Sequence, residues 1–387
     1  MSRLVLSPTE CKDFAIKKID CGRYQGRADL HLHSRYSNID SYNPQLLVRG
    51  AEALGLEAIA LTDHLNLHGS RIAQAYVKEQ GFQVRVITGV EIICGQSLMP
   101  TERLLEKLGQ EYETREQATQ VAGDRRFRET HVLGYLFDPD HQAITAIEEK
   151  MISRKIEILA CALRIINKTL KQKGKLQEPL GLSQLSLEEG IPPNRRHLYR
   201  LLETSSYRDI LDRKEIDSIM REAVEESGGY LDMEVQAAID LIHSAGGLAF
   251  LAHPLIGNVV KFCMGLYTEK SHQTRWDIMI RDFGQHRDFF GELFDDLAAN
   301  FRSLGGDGAE IIHSDYIYMA GAVAMVKDIA ANRGLKMSGG SDFHAAKGHK
   351  YYKLTMPVYV GIAPPDRANE EHATLDVNTI SSWAKIT

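Results

Sequence analysis

The chain has 387 residues, a formal net charge of −6 at pH 7 and a hydrophobic fraction of 43%. This length and composition predict a protein that buries a core, either in one large domain with an insertion or in two domains. The mild acidity argues against duplex DNA as a partner, because such binding relies on a broad basic surface.

The cysteines and the apolar runs bear on the compartment. The five cysteines are scattered and form no CxxC pair, which is typical of a reducing compartment and argues against a thiolate zinc site. The first residues, MSRLVLSPTECKDF, lack the apolar core of a signal peptide. No apolar run approaches the roughly 18 residues of a membrane helix. We therefore expect a soluble cytoplasmic protein without a membrane partner, whose oligomeric state the sequence leaves open.

Seven short apolar segments are predicted strands. They are rich in Ile, Val, Leu and Ala, and most are too apolar for a sheet with one exposed face. Such strands suit a parallel sheet that is covered on both faces. In chain order they are Arg27–His31, Leu56–Thr62, Val84–Glu91, His131–Phe137, Leu248–His253, Ala309–His313 and Leu335–Gly339.

Helical segments fill the gaps between these strands. Asn43-Pro44 is typical of an N-cap followed by proline at the first helical position, and Gly55 ends this helix. Similar helices precede Gly246-Gly247 and Gly334. The repeated order of helix, glycine, strand and polar residue predicts an α/β fold, either a barrel or a doubly wound sheet.

The stretch between the fourth and fifth strands differs from the rest. Apolar residues spaced by three and four predict a long amphipathic helix from Ile152 to Leu170, and helix-prone polar sequence follows at Asp212–Glu226. We interpret residues 138–235 as an inserted helical cap. Residues 26–137 and 236–387 would then form the two parts of a barrel, and residues 1–25 an N-terminal extension. A second irregular stretch, about 257–300, is expected to pack beside the insertion.

Residues that can bind metal recur at or near the ends of the predicted strands. Barrel enzymes collect their catalytic groups at the carboxyl ends of the strands. His131 instead begins its strand, but an antiparallel relation with the Glu91 strand would bring it to the same mouth. We therefore predict a site for several metal ions at one mouth of an α/β barrel. The candidates are His31, His33, Asp63, His64, Glu91, His131, His253, Asp342 and His344.

Each of these residues is weak evidence when it is taken alone. His31 and His33 point to the same side of a strand and can bind one ion together, whereas Asp63 could cap a helix and Glu91 could be a buried ion-pair partner. Together they favour a metal site, because charged groups are rarely buried without partners. Mixed His, Asp and Glu ligation without cysteine suits Mn, Fe or Zn.

The order of the motifs resembles a known family. ADLHLHS, ALTDH, TGVE, HVLGY, LAHP and GGSDFH are similar to the polymerase and histidinol phosphatase (PHP) superfamily of metal-dependent phosphoesterases, over roughly residues 26–137 and 236–350. NRRHLYRLL and IHSAGGLAFLAHP resemble the stand-alone bacterial subgroup. That subgroup includes 3′,5′-nucleoside bisphosphate phosphatases and 5′-3′ exoribonucleases. The resemblance implies a distorted seven-stranded (β/α)7 barrel with an inserted helical cap.

The resemblance also implies two to three divalent metal ions. The residues that match the ligands of the first ion are His31, His33, Glu91 and Asp342. Those that match the second are Glu91, His131 and His253, with Glu91 bridging the two ions. His64 and His344 match the third.

The third site departs from the family pattern. Ser37-Asn38-Ile39-Asp40-Ser41 stands where the family has Ser-Asp-Gly. We expect Asp40 to complete this site, with Asn38 or water as the alternative. Asp63 is expected to orient a neighbouring ligand.

Basic residues in the insertion are candidates for substrate contacts. Arg195 and His197 match the family's Gly-Arg-Pro-His motif, from which Asn194 and Arg196 depart. We expect Arg195 to hold a phosphate and His197 to protonate or orient the leaving oxygen. On composition alone, a solvated helix start is the simpler interpretation. Weaker candidates for substrate contacts are His68, His313, Tyr316 and Lys347.

These observations predict a metal-dependent phosphoric ester hydrolase. Its expected substrate is a small phosphorylated molecule, a nucleotide above all, whose phosphomonoester would be attacked by a hydroxide that bridges the metals. The alternatives are an amidohydrolase-like enzyme that cleaves C–N bonds, a histidinol-phosphate-type phosphatase and a non-enzymatic metal-binding module. The arginines favour phosphate over a neutral amide, and the near-complete ligand set argues against a non-enzymatic role.

Overall fold

A computed structural model describes residues 27–37, 39, 41–95, 98, 129–207, 210–255, 283–284, 287–313, 316, 319, 321–344, 375–376 and 379. The chain divides into two compact units. The first holds the residues up to Pro139 and those from Met233 onwards, and the second is Asp140–Asp232. The predicted insertion, residues 138–235, contains the second unit.

One curved sheet is the centre of the first unit. In chain order its strands are β1 (Arg27–His33), β2 (Ala58–Leu61), β3 (Arg85–Cys94), β4 (Thr130–Tyr135), β5 (Leu248–Leu251), β6 (Gly308–His313), β7 (Lys336–Gly340), β8 (Phe343–His344) and β9 (Leu375–Asp376). The order across the sheet is β7-β6-β5-β4-β3-β2-β1-β8, and β9 pairs with β1. All seven predicted strands are present. Strands β8 and β9 were not predicted, because two residues are too few to show a periodic pattern.

Strand directions bring the ends of β3 and β4 together. Most neighbouring strands are parallel, but β4 is antiparallel to both β3 and β5. This confirms the predicted relation between the strands of Glu91 and His131. Glu91 lies opposite Leu133, and Ile93 lies opposite His131. Since opposite and alternate residues share a face of a sheet, Glu91 and His131 face the same side.

The sheet curves until the end of β7 meets β1. Ser341, directly after β7, donates to the Asp29 carboxylate from its backbone N at 3.0 Å and from its Oγ at 2.7 Å. At Gly340 a Cβ atom would overlap the backbone of His31, so the close approach of the two strands requires glycine there. The result is the predicted α/β barrel, nearly closed.

Helices surround the sheet or form the second unit. In chain order they are α1 (Pro44–Leu54), α2 (His68–Gln80), α3 (Gln142–Gln172), α4 (Arg195–Thr204), α5 (Arg213–Glu226), α6 (Val235–Ser244), α7 (Arg287–Ser303) and α8 (Ala322–Asn332). Helix α1 begins as predicted, since the side chain of Asn43 accepts a hydrogen bond from Leu46 N. It ends at Gly55, whose φ of 78° is easily adopted by glycine.

Each unit has its own apolar core. Inside the barrel a layer of buried side chains comprises Ala28, Leu30, Ala58, Ala60, Ile87, Leu133, Tyr135, Phe250 and Ala252. In the second unit, one face of α3 packs with α4 and α5, and the shared core includes Leu159, Leu163, Ile166, Leu198, Leu202, Ile216 and Ala223. None of the described helices combines the length and apolar character that a bilayer crossing requires.

Candidate metal centre

His31 and His33 lie side by side at the end of β1, and both are fully buried. Their Nε2 atoms are 3.2 Å apart, because alternate residues of a strand face the same side. Nδ1 of His31 lies 3.1 Å from Glu310 Oε1, and Nδ1 of His33 lies 2.8 Å from Ser37 Oγ. Both imidazoles therefore turn Nε2 toward the same point.

The partners of the two Nδ1 atoms determine which ring nitrogen carries the proton. A carboxylate only accepts hydrogen bonds, so His31 Nδ1 donates to Glu310. Ser37 Oγ donates to Asp63 Oδ1 at 2.8 Å, so it accepts from His33 Nδ1. In their neutral forms both rings then present an Nε2 lone pair to one point. Two such lone pairs repel each other unless a proton or a metal cation lies between them.

Glu91 on β3 is buried and faces histidines from four segments of the chain. Its Oε2 lies 3.2 Å from His33 Nε2 and 3.0 Å from His64 Nε2. Its Oε1 lies 2.7 Å from His131 Nδ1 and 3.1 Å from His253 Nε2. Oε2 also lies 3.7 Å from His31 Nε2, so the two carboxylate oxygens face different sets of histidines.

Asp342 closes the cluster on the side of β7 and β8. Its Oδ1 lies 3.5 Å from His31 Nε2 and 3.2 Å from His33 Nε2. Nδ1 of His344 lies 3.2 Å from the same oxygen, while Oδ2 lies 3.4 Å from His313 Nε2. The φ of Asp342 is +51°, a left-handed conformation that is uncommon for a residue other than glycine. The turn after β7 therefore holds this carboxylate against β1.

The potential ligand atoms form three overlapping groups, and within each group all the atoms lie within 4.8 Å of one another. The members of these groups are His31, His33 and Asp342; His31, Glu91 and His253; and His33, His64 and His344. The last group contains His33 where the resemblance implied Asp40. Asp40 and Asn38 lie outside the described residues, so the third ligand of that site stays a prediction.

Asp63 contacts the cluster through serines. Its fully buried carboxylate accepts hydrogen bonds from Ser34 N at 2.7 Å, Ser34 Oγ at 2.6 Å and Ser37 Oγ at 2.8 Å. Ser37 Oγ also accepts from the backbone N of His64 at 2.9 Å. Asp63 is therefore linked through Ser37 to two predicted ligands, His33 and His64. This arrangement suits the predicted orienting role, which remains a prediction.

Sequence reasoning missed Glu310. This residue on β6 is fully buried, and its carboxylate contacts His31 Nδ1 and the backbone N of His253. The sequence does contain a sign of its role, a single acid in the middle of the otherwise apolar strand GAEIIH. Because acids are rarely buried without a partner, an acid at this position indicates a buried polar contact.

The charges of the cluster shift its protonation equilibria. Burial disfavours the charged form of His33, but the carboxylates of Asp342 and Glu91 outweigh it and raise the pKa of His33 to about 9. Burial would likewise raise the pKa of Glu91, yet His131 and His253 hold it well below its usual range. Burial lowers the pKa of His253 to about 4. The carboxylates that favour a proton on His33 would equally favour a metal cation, which competes with protons for such ligands.

The donor set fits a divalent metal ion of the predicted kind. It consists of imidazole nitrogens and carboxylate oxygens, and the free cysteines Cys94 and Cys161 belong to none of the three groups. Such mixed nitrogen and oxygen ligation suits Mn, Fe or Zn.

The weaker candidates for substrate contacts have different surroundings. His313 is buried in the cluster, and its ring centroid lies 5.5 Å from that of Tyr316. His68 begins α2, and its ring centroid lies 5.4 Å from that of Tyr36. Lys347 lies outside the described residues.

Arg195 and His197 lie in the second unit, at the start of α4. The side chain of Arg195 is 61% exposed, and its Nη1 lies 3.5 Å from Asp217 Oδ1. His197 is buried, and its Nδ1 accepts a hydrogen bond from the backbone N of Asn194 at 3.2 Å. His197 therefore helps to cap α4, and the predicted catalytic roles of both residues remain predictions.

Comparison with known proteins finds a family match over part of the chain. Residues 29–179 match the family model of the PHP domain. This part of the chain is therefore similar to a PHP domain. The chain is 26% identical to the 5′-3′ exoribonuclease of Haemophilus influenzae over 324 residues, which are 82% of this chain and 89% of that protein. It is also 47% identical to the error-prone DNA polymerase of Nocardia farcinica over 70 residues, which are 18% of this chain and 6% of the polymerase.

A solved structure shares the fold of this chain. It is that of a candidate metal-dependent phosphoesterase from Bifidobacterium adolescentis, with a TM-score of 0.50 and 19% identity. The match covers 92% of this chain and 94% of that one. At this identity the likeness bears on the fold alone. Together the comparisons confirm the predicted family and the predicted class of enzyme, a hydrolase.

Proposed function

We propose that this protein is a metal-dependent phosphoesterase that hydrolyses a phosphomonoester on a nucleotide. The substrate would be a 3′,5′-nucleoside bisphosphate or the 5′ end of a short RNA. The observation that carries the proposal is Glu91, whose two carboxylate oxygens face two different sets of histidines. A carboxylate in this position suits two ions held side by side.

The chain's own residues would hold and orient the ions. Glu91 would bridge two of them, His31, His33 and Asp342 would complete one site, and His131 and His253 would complete the other. When bound, divalent ions polarise phosphoryl oxygens and lower the pKa of water to near neutrality. The burial of these donors strengthens every charge interaction at the site, since the local dielectric constant is low.

The name of one relative supports a nucleotide over other phosphoesters. The relative from Haemophilus influenzae that matches most of the chain is named a 5′-3′ exoribonuclease. Arg195 is exposed in the second unit, and a guanidinium can hold a phosphate through two parallel hydrogen bonds. Arg195 would bind a substrate phosphate, with Lys347 as a further cation, and His197 would protonate or orient the leaving oxygen.

Metal analysis and phosphate release, measured on the same sample, test the proposal. We expect two to three transition-metal ions per chain by plasma emission spectroscopy. We also expect inorganic phosphate from adenosine 3′,5′-bisphosphate or from a 5′-phosphorylated oligoribonucleotide. Glu91→Gln should lose both metal and activity, whereas Glu79→Gln, on the exposed side of α2, should lose neither.

The outcomes separate the alternatives. Turnover of a cyclic amide without release of phosphate would favour an amidohydrolase. A metal-replete sample that releases phosphate from histidinol phosphate but from no nucleotide would contradict the nucleotide assignment. A metal-replete sample that turns over no ester or amide would favour the remaining alternative, a non-enzymatic metal-binding module.

A further inference from the structure

Glu310 is a fully buried carboxylate beside the predicted metal ligands. Its Oε1 accepts from His31 Nδ1 at 3.1 Å, and its Oε2 accepts from the backbone N of His253 at 2.7 Å. No lysine or arginine in the described part of the chain pairs with it. Burying a carboxylate away from a cation is costly, so its position requires a reason beyond packing.

The two partners of Glu310 belong to separate parts of the barrel. β6, which carries Glu310, is next to β5, and His253 follows β5 directly. His31 lies on β1, which is not a hydrogen-bonded neighbour of β6 in the sheet. The carboxylate of Glu310 thus reaches from β6 to β1 and joins ligands that no backbone pairing joins.

The contact with His31 selects a tautomer. In the neutral form of His31 the carboxylate, which only accepts hydrogen bonds, requires Nδ1 to donate, and this leaves the Nε2 lone pair pointing at His33 and Asp342. A carboxylate that accepts from the distal nitrogen also makes the other nitrogen a stronger ligand.

The contact with His253 stabilises a strained turn. The φ of His253 is +25°, a backbone conformation that residues other than glycine rarely adopt. Glu310 binds the backbone N of His253 itself, and the hydroxyl of Tyr316 accepts from Leu255 N at 3.1 Å on the other side of the turn. This turn places His253 Nε2 3.1 Å from Glu91 Oε1.

We propose that Glu310 is a positioning residue that sets two metal ligands at once, the tautomer of His31 and the turn of His253. The proposal rests on the metal centre described above and goes beyond the predicted ligand set, since Glu310 contacts two predicted ligands and belongs to none of the three groups of donor atoms. Oε2 also lies 3.3 Å from His31 Nδ1. A glutamine replaces Glu310 poorly, because its amide lacks the negative charge and turns an NH₂ donor toward these N–H groups in place of the second accepting oxygen.

The first test measures metal affinity without substrate. Glu310→Gln and Glu79→Gln are titrated with Zn²⁺ and with Mn²⁺ in competition with a chromophoric chelator. We expect Glu310→Gln to bind metal about 10–100-fold more weakly, the usual effect of losing a partner of a metal-binding histidine. Glu79→Gln should bind like the wild type.

The second test reads the tautomer directly. In metal-free protein with ¹⁵N-labelled histidine, assigned at His31 through His31→Gln and measured at a pH high enough to make His31 neutral, the ring nitrogens should show a proton on Nδ1. In Glu310→Leu that preference should be lost, which a merely structural role would not require. Circular dichroism and urea unfolding of the metal-free variants show whether each one folds.

A variant that unfolds at lower urea yet binds both metals like the wild type would overturn the proposal. Where Glu310→Gln fails to fold, Glu310→Asp decides, because its shorter side chain keeps the charge but cannot reach both donors. Wild-type metal affinity in Glu310→Asp would also overturn the proposal. Since no substrate is present in these tests, a wrong assignment of the phosphoesterase activity would leave their results unchanged.

Discussion

Ser37 Oγ lies 2.8 Å from Nδ1 of His33 and accepts its proton in a hydrogen bond. The same hydroxyl donates to Asp63 and accepts from the backbone N of His64. A single hydroxyl therefore uses its one proton and both lone pairs to connect a buried carboxylate to two predicted ligands.

Removing this hydroxyl should weaken metal binding. In Ser37→Ala, Nδ1 of His33 and the backbone N of His64 lose their acceptor, so we expect metal affinity to fall by about 10–100-fold. Ser37→Thr keeps the hydroxyl and should restore most of the affinity. Chelator competition measures both variants, with Ser244→Ala, exposed at the end of α6, as the control. Equal affinities in Ser37→Ala and Ser37→Thr would contradict the role of the hydroxyl.

Gly340 should not tolerate a side chain. A Cβ at this position would overlap the backbone and Cβ of His31, so Gly340→Ala must separate β7 from β1. Overpacking of this kind costs about 1–3 kcal/mol, which urea unfolding would measure. Metal content should fall with it, because His31 moves. Gly181→Ala is the matched control, since a Cβ there meets no atom within 4 Å; equal unfolding curves for the two variants would refute the argument.

We expect Lys155 on α3 to make the stability of the second unit depend on pH. Burial lowers the pKa of Lys155 to about 8, below the 10.5 of an exposed lysine. Between these values the unfolded chain binds more protons than the folded chain. The free energy of unfolding therefore rises as the pH increases from about 8 to 10.5, and it stays at its lower value below about pH 8. At pH 7 the burial of the protonated Lys155 lowers the free energy of unfolding by its full amount, on the order of 3 kcal/mol.

Lys155→Met should therefore raise the free energy of unfolding at pH 7 and flatten its rise between about pH 8 and 10.5. Lys168→Met, at an exposed position of the same helix, should leave that rise unchanged. Urea unfolding at a series of pH values measures both. The same pH dependence in Lys155→Met as in the wild type would show that Lys155 is not its source.

The proximity of several predicted ligands could be anticipated because strand geometry repeats. His31 and His33 are two residues apart on a strand, so their proximity follows from the sequence alone. Glu91 and His131 required a guess about strand direction, which the antiparallel pairing of β3 and β4 bears out. The prediction that Asp342 and His344 join the cluster required β7 to close on β1. That closure follows from the barrel rather than from the local sequence of the two residues.

Glu310 escaped prediction because β6 is irregular. Strict alternation would place Glu310 and His313 on opposite faces of β6. The register of β6 against β7 shifts between Glu310 and Ile312, and such a shift changes the alternation. Both side chains thereby reach the cluster, Glu310 at His31 and His313 at Asp342. A sequence carries no reliable sign of where a strand will bulge, so contacts that depend on one are found in the structure.

Substitution of Arg195 tests whether the second unit contributes to substrate binding. If Arg195 binds a substrate phosphate, Arg195→Ala should keep its metal content but lose activity. The expected loss is about 2–4 kcal/mol of transition-state stabilisation, the range for one preorganised donor. The loss should be larger for adenosine 3′,5′-bisphosphate than for an aryl phosphate, because the bisphosphate has a second phosphate to hold. Arg195→Lys should recover little, since lysine lacks the planar fork of the guanidinium.

The control for this prediction is Arg221→Ala, an exposed arginine on α5 of the same unit. It should keep the kcat/KM of the wild type on both substrates, which shows that a lost positive charge in this unit is not sufficient. Equal losses on both substrates in Arg195→Ala would mean that Arg195 serves the scissile phosphate alone. An Arg195→Ala enzyme with wild-type kcat/KM would mean that its contact with Asp217 is its whole role. The proposed nucleotide substrate would then rest on the Haemophilus influenzae relative.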